Sequence, residues 1–444
     1  MSLSLARRVA SVAGNYAGRL AKAMRWRGRA VPDVQAAAQS ARRILIVRCD
    51  HIGDAFMSVP AIAWVRVAFP HAHITLMVAS WSEALFKDNP LVDELVVHDP
   101  PWWTKRRKVR FGNTGGGAEG STRGLPAMVR RLRSNRYDLC LELRGDPRQM
   151  LAYGYLAGAR FIVSRNRHGA TGFADFAPTI DESLHEVEQN LQLVRRLAPR
   201  SFDTGEQPIR FYKPIGPAER TKVAALIASA IPGRDFASGT ESRTPNMGST
   251  PGLIIVAHPG AKHVNQWPVS HWQQWVKSML ATDGEDLRIM LTGGPGEQAL
   301  CESIAQGEPA VAVLAGMLSL RETAALMEQA HLVVMGDTGP MHLLNAVQTP
   351  ALLLFGPTPP SRYAPQGGHV EVLQAEACCV AGNHEVCLRA SAPAPSACMT
   401  SIRPADVVER CWGMLAQARP AEETATANPI TADYRGRISS SASS

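Results

Sequence analysis

Long apolar runs are missing from this 444-residue chain. No stretch approaches the roughly 18 consecutive apolar residues that a membrane-spanning helix needs. A secretory leader is also missing from the N-terminal segment. Arg7 and Arg8 are present, but Gly14, Asn15, Arg19 and Lys22 interrupt any hydrophobic region there. A cytoplasmic protein is therefore expected, with its eight cysteines reduced. The spacing G-x-G-x-x-G does not follow the first strand-like run, which counts against a nicotinamide or flavin enzyme. No helix-turn-helix, zinc finger or aromatic-rich recognition strand accompanies the basic residues, so nucleic acid is not the expected partner. An Asp-x-Asp metal motif is absent, and neither a metal nor a cofactor is expected. Cys378, Cys379, Cys387 and Cys398 cluster around His384. Adjacent cysteines are poor partners for one zinc. The block reads instead as a structural cap whose chain returns to the first domain.

The apolar share, 45%, is ordinary for a globular protein, and the length suits two or three domains. The net charge of +8 conceals an asymmetry. Residues 1–43 carry nine Lys and Arg against Asp33, and residues 102–136 carry ten against Glu119, so the remainder is net acidic. The first half should face something anionic. Leu5, Val9, Val12, Tyr16, Leu20 and Met24 recur at helical spacing among Arg7, Arg8, Arg19, Lys22 and Arg25. Residues 1–41 thus read either as a basic extension carrying an interfacial helix or as a flexible basic arm. An anionic membrane surface fits the charge better than nucleic acid.

Strand-like runs at 44–48, 73–79, 94–98, 138–143 and 160–164 alternate with helical stretches, which signals a parallel sheet. A second alternation follows at 252–257, 287–292, 311–314, 332–335 and 351–355, with helices such as 270–281 between. The expected organisation is a basic extension (1–41), a first α/β domain (42–231), a flexible linker (232–251), a second α/β domain (252–412) and a disordered tail (413–444). Residues 104–124 form a basic, glycine-rich insertion in the first domain.

Two motifs carry chemistry. Gly336-Asp337-Thr338-Gly339-Pro340-Met341-His342 follows one buried strand, and Phe355-Gly356-Pro357-Thr358 ends the next. Such turns lie at the carboxyl edge of a parallel sheet, where open α/β proteins bind ligands. Asp337, Thr338 and the amides after Gly339 suit a ribose and a diphosphate. An Asx turn and helix cap would use the same residues. Arg43-Ile44-Leu45-Ile46-Val47-Arg48-Cys49-Asp50-His51-Ile52-Gly53-Asp54, then Pro60-Ala61-Ile62, opens the first α/β unit. Together with His258-Pro259-Gly260-Ala261-Lys262 and Gln266-Trp267-Pro268, these motifs resemble glycosyltransferase family 9, the bacterial lipopolysaccharide heptosyltransferases. The likeness covers roughly residues 42–412 in the expected order.

The resemblance implies the GT-B arrangement of two Rossmann-like parallel-sheet domains facing across a cleft. It implies an inverting transfer of heptose from a nucleotide donor, ADP-heptose, to a phosphorylated glycolipid of the lipopolysaccharide inner core. The enzyme would work at the cytoplasmic face of the inner membrane. Such chemistry needs a base for the acceptor hydroxyl and charge stabilisation for the departing diphosphate. The Gly-Asp of the family motif makes Asp54 the base, although Asp54 could equally N-cap a helix from Ala55 to Phe69. Donor contacts fall on Gly53, Gly260, Ala261, Lys262, Gly293, Gly294, Asp337, Thr338, Gly339, Pro340 and His342. Arg48 and Asp50 could order the loop through a local ion pair. Trp267 and Pro268 are expected to pack.

The chain departs from the family at one point. Relatives carry a basic residue two places before the Trp-Pro pair, and Asn265 stands there. Lys262 could supply the charge, or neutral donors could hold the phosphate. Two alternatives stay open: a GT-B transferase with another nucleotide-sugar donor, and a catalytically silent membrane-surface binding protein.

Overall fold

A computed structural model describes residues 15–27, 30–102, 124–166, 170–199, 211–230, 252–261, 263–283, 287–366, 369–375 and 397–418. The basic insertion near 104–124, the linker 232–251, Lys262, Cys378, Cys379, His384 and Cys387 fall wholly or almost wholly outside these residues.

The first half builds five strands: β1 (Arg43–Arg48), β2 (His73–Val78), β3 (Glu94–Val97), β4 (Leu139–Glu142) and β5 (Phe161–Ser164). They lie parallel in the order β3-β2-β1-β4-β5. The second half builds β6 (Leu253–His258), β7 (Leu287–Leu291), β8 (Val311–Val313), β9 (Leu332–Gly336), β10 (Ala351–Phe355) and β11 (Val370–Gln374). These are parallel too, in the order β11-β10-β9-β6-β7-β8. Both central strands, Ile44–Val47 and Ile254–Ala257, are buried along their length because helices cover both sheet faces. Ten of the strands match the sequence pattern; β11 does not, since its side chains are only partly covered.

In each sheet the strand order reverses beside the first strand of the unit. That reversal opens a crevice at the carboxyl ends of β1 and β4, and another at those of β6 and β9. The two crevices meet. Gly53 after β1 touches His342 after β9, and Gly339 approaches Ile52 so closely that a Cβ on Gly339 would lie 3.3 Å from the Ile52 Cβ.

Helix Pro217–Ala230 falls within the span 42–231 that the sequence pattern gives to the first domain, yet it packs on helix Leu320–Gln329 of the second half. Arg220 pairs with Glu328 at 2.7 Å, Lys222 with Glu322 at 2.7 Å and Glu219 with Arg321 at 2.6 Å. Helical spacing shows which face is apolar, not which sheet receives it. The last described helix, Pro404–Ala418, runs past residue 412, into the stretch read from sequence as tail. It does not return to the first sheet either: Val407, Cys411, Met414 and Leu415 pack with Trp267, Trp272 and Trp275 of the second half. Trp267 stacks edge-on against Trp272 at 4.9 Å and donates its indole N–H to the Ile402 carbonyl at 2.9 Å. Cys49, Cys140, Cys301 and Cys411 are free and buried, but Cys398 is disulfide-bonded, against the expectation of reduced thiols.

Residues 15–26 form a helix fixed to the first unit. Gly18 lies against Gly172 with no room for a side chain. Trp26 stacks on Phe161 at 5.7 Å and donates to Asp175 at 2.9 Å, and Arg25 pairs with the same carboxylate at 2.7 Å. The opposite face leaves Tyr16, Leu20 and Met24 more than 60% exposed.

Candidate active site

Asp54 does not cap a long helix. It lies inside a short one, Ile52–Phe56, whose N-cap is His51, and a second helix, Val59–Ala68, starts separately. Arg144 Nη1 donates to Asp54 Oδ2 at 3.0 Å and to Asp50 Oδ2 at 2.8 Å. Arg48 lies beneath, 3.4 Å from Asp50, and its Nε donates to the Asp54 carbonyl at 3.0 Å. Arg48 and Asp50 do order this loop by an ion pair. Burial opposes the charge of Arg144, but Asp50 and Asp54 outweigh it and hold the guanidinium above its ordinary pKa.

The turn carrying Arg144 is itself pinned. Glu142, at the end of β4, accepts from the amides of Gly145 and Asp146 at 2.6 and 3.1 Å and from Ser164 Oγ at 2.8 Å. Gly145 takes φ 83°, a conformation that favours glycine. Burial, with Asp146 nearby, pushes Glu142 up to about 7. Glu186 completes the charge network: Arg165 donates to it at 2.6 Å and Arg48 at 3.4 Å. Burial would raise its pKa, but these two arginines lower it. The side chains of Asp50 and Glu186 are 0% and 2% exposed, that of Asp54 19%. Of the three, Asp54 is the carboxylate a second substrate can reach.

Opposite stands the loop after β9. Asp337 Oδ2 accepts from Asn265 Nδ2 at 2.7 Å, and the same amide reaches Thr358 Oγ1 at 3.3 Å. Asn265, buried and neutral, thus ties the loops after β6, β9 and β10 together. Thr338 N-caps the short 3-10 helix Gly339–Leu343 without a side-chain bond, and Pro340 occupies its first turn. Asp337, Thr338, Gly339 and Pro340 are all partly exposed toward the crevice, and Ala261 lies beside Gly336.

Two expected donor contacts differ. His342 is 4% exposed and its ring lies against Gly53, where a Cβ would overlap it. Gly53 thus gives room to a histidine from the other half. Burial drives His342 down to about 4, with Asp54 pulling the other way. The glycine cluster also has an unforeseen occupant. The Glu297 carboxylate fills the space over Gly260, lies beside Gly293 and accepts from the Gly294 amide at 2.7 Å. A carboxylate there repels phosphate but accepts from hydroxyls or amines. His258, the last residue of β6, shares a hydrogen bond with Thr292 at 3.0 Å, and burial lowers its pKa.

Two parallel sheets joining their carboxyl edges at a carboxylate and a polar loop make the GT-B arrangement. The family described as glycosyltransferase family 9 (heptosyltransferase) matches residues 126–392. The chain belongs to that family and is a glycosyltransferase. It is 24% identical over 317 residues to lipopolysaccharide heptosyltransferase 3 of Escherichia coli, covering 69% of this chain and 81% of that one. Among solved structures it resembles a family 9 glycosyl transferase from Veillonella parvula DSM 2008, with TM-score 0.66, 20% identity and coverage of 85% and 98%. It also resembles the E. coli ADP-heptose lps heptosyltransferase II, with TM-score 0.61, 19% identity and coverage of 85% and 100%.

Proposed function

We propose that the protein is an inverting heptosyltransferase of lipopolysaccharide core assembly, using ADP-heptose and a phosphorylated inner-core glycolipid. The observation that carries this reading is Asp54, the accessible carboxylate of a buried ion network, facing the Asp337–Pro340 loop across the joined crevices. Asp54 takes the proton of the acceptor hydroxyl. The freed oxygen attacks the anomeric carbon from the side opposite the diphosphate, a new C–O bond forms, and the electron pair of the old one leaves on the diphosphate. The anomeric configuration inverts. The sugar and ribose hydroxyls are taken by Asp337, Thr338 and the Glu297 corner beside Gly260, Ala261, Gly293 and Gly294. The diphosphate lies toward Gly339 and the cleft, away from Glu297.

The names of the relatives support the donor and the acceptor class. Among the described residues no helix is long and apolar enough to cross a membrane. The exposed Tyr16, Leu20 and Met24, flanked by Arg19 and Arg25, support peripheral attachment to an anionic inner-membrane surface on its cytoplasmic face.

One experiment with two arms tests the reading. Labelled ADP-heptose is supplied with a soluble inner-core oligosaccharide, or with the same core as glycolipid in vesicles containing anionic lipid, alongside other nucleotide sugars. Transfer from ADP-heptose with inverted linkage, faster on vesicles for the parent than for a Leu20→Glu/Met24→Glu variant, is expected. Preference for another donor overturns the heptose assignment, and equal rates on vesicles overturn the membrane contact.

A further inference from the structure

We propose that Arg362 is the cation that meets the leaving diphosphate, replacing the basic residue whose place Asn265 holds; this rests on the donor reading above. Arg362 belongs to a short helix, Pro360–Tyr363, that begins two residues after Thr358. Thr358 accepts from Asn265, which also holds Asp337, so Arg362 is carried by the donor-side loops. Across the crevice its Nη2 stands 4.0 Å from Glu186 Oε2. That separation is too long for a hydrogen bond. Glu186 already accepts from Arg165 and Arg48 through its other oxygen. Buried Nε and Nη2 of Arg362 accordingly have no acceptor, and neither is Glu186 Oε2 bonded.

An arginine fork with unmade N–H groups, held in a half-buried crevice, is an unusual expense unless a ligand completes it. Its planar geometry matches two oxygens of a phosphate. The surrounding charge agrees. The ion network joins Arg48, Arg144, Arg165 and Arg362 to Asp50, Asp54 and Glu186, leaving one positive charge over. Arg48 Nη1 and Arg165 Nε are unbonded as well, but those side chains are 1% and 2% exposed, whereas Arg362 is 23% exposed and gives no hydrogen bond to Glu186. When the anomeric C–O bond breaks, the diphosphate gains the electron pair and a further negative charge. Arg362 compensates it without transferring a proton. Glu297 keeps the same anion out of the glycine-lined corner.

The test is calorimetric binding of ADP, AMP and inorganic pyrophosphate to the parent, Arg362→Gln and Arg362→Lys proteins, each with a melting curve. Arg362→Gln should weaken ADP and pyrophosphate tenfold or more while AMP changes less than twofold. Arg362→Lys, which keeps the charge beside Glu186 and covers a glutamine variant that fails to fold, should lose several-fold on ADP. Unchanged ADP affinity in either folded variant, or equal losses on ADP and AMP, overturns the proposal and leaves Arg362 a partner of Glu186. An Arg362-dependent affinity for pyrophosphate without preference for ADP over other nucleoside diphosphates supports Arg362 and overturns the ADP donor. A parent that binds neither pyrophosphate nor ADP overturns both.

Discussion

The two carboxyl edges that meet in this protein are built on opposite principles. The edge of the first sheet is dense in charge: Asp50 and Glu186 are buried, and Arg48, Arg144 and Arg165 hold them and Asp54. The edge of the second sheet has fewer charges, made of Gly260, Gly293, Gly294, Gly339, Asn265 and Thr358, with Asp337 and Glu297 as its anions and Arg362 beside them. A charged, pre-formed edge holds one accessible carboxylate in place by an ion pair. A glycine-rich edge leaves room for a ligand to bring its own groups. Acid–base chemistry needs the first and donor accommodation the second.

The sharpest way to break this contrast is Asp54→Asn. Asn keeps the size and an acceptor oxygen for Arg144, but it cannot take the acceptor proton. Loss of a general base typically lowers turnover about 10²–10⁴-fold. Donor affinity should hold, because the donor lies on the other edge. Turnover close to the parent, in a protein that melts normally, would leave Asp54 a partner of Arg144 and nothing more.

His342 is where the edges touch, and its titration should report their joint. The folded protein holds it at about 4, against an ordinary 6.5. Between those values the unfolded chain binds a proton that the folded chain refuses, so stability falls as pH drops from about 6.5 through about 4. From pH 7 to pH 5 this one group should remove about 2 kcal/mol. Glu142, raised to about 7, works in the opposite sense over the same range, so the parent curve alone mixes the two. Comparing parent with His342→Gln isolates the histidine: the variant should lose less stability on acidification. Identical pH dependence of unfolding in both would show that the ring does not titrate across this contact.

Much of this architecture is legible from residue order. Continuous apolar runs such as Ile44–Val47 and Leu332–Met335 announce buried parallel strands, and polar turns after them announce the ligand edge. Asp54, Asp337 and Thr338 stand out for that reason. Arg144 follows β4 at the same edge, and the topology alone would have brought it beside Asp54. Glu297 lies in the glycine turn after β7, which the residue order already places at the nucleotide pocket, but nothing marks its carboxylate as the group that fills Gly260; Glu186 and Arg362 carry no mark at all. Their contacts join segments distant in sequence, and an Arg-Tyr tract reads as plain surface. The clash between His342 and any side chain at position 53 is likewise a property of how the two halves meet. Packing across halves is equally silent in the residue order: helix Pro217–Ala230 packs on Leu320–Gln329 although the nearest strand before it lies in the first sheet.

The mildest perturbation sharpens the second edge. Asp337 is bound by Asn265 at 2.7 Å, so the carboxylate arrives already oriented and needs little ordering when a donor hydroxyl approaches. Asp337→Ala removes one charge-assisted hydrogen bond to the ligand and should weaken nucleotide-sugar binding about tenfold. Asn265→Ala leaves the carboxylate but frees its rotamer, so its effect on affinity should be smaller and of the same sign. If Asn265 acts through Asp337, the double variant should bind no more weakly than Asp337→Ala alone, since residues sharing one hydrogen bond are not additive. Full additivity in calorimetry would mean that Asn265 reaches the donor independently. An Asp337→Ala protein with parental affinity and an intact fold would remove Asp337 from the donor site and leave it an anchor for the loops after β6 and β9.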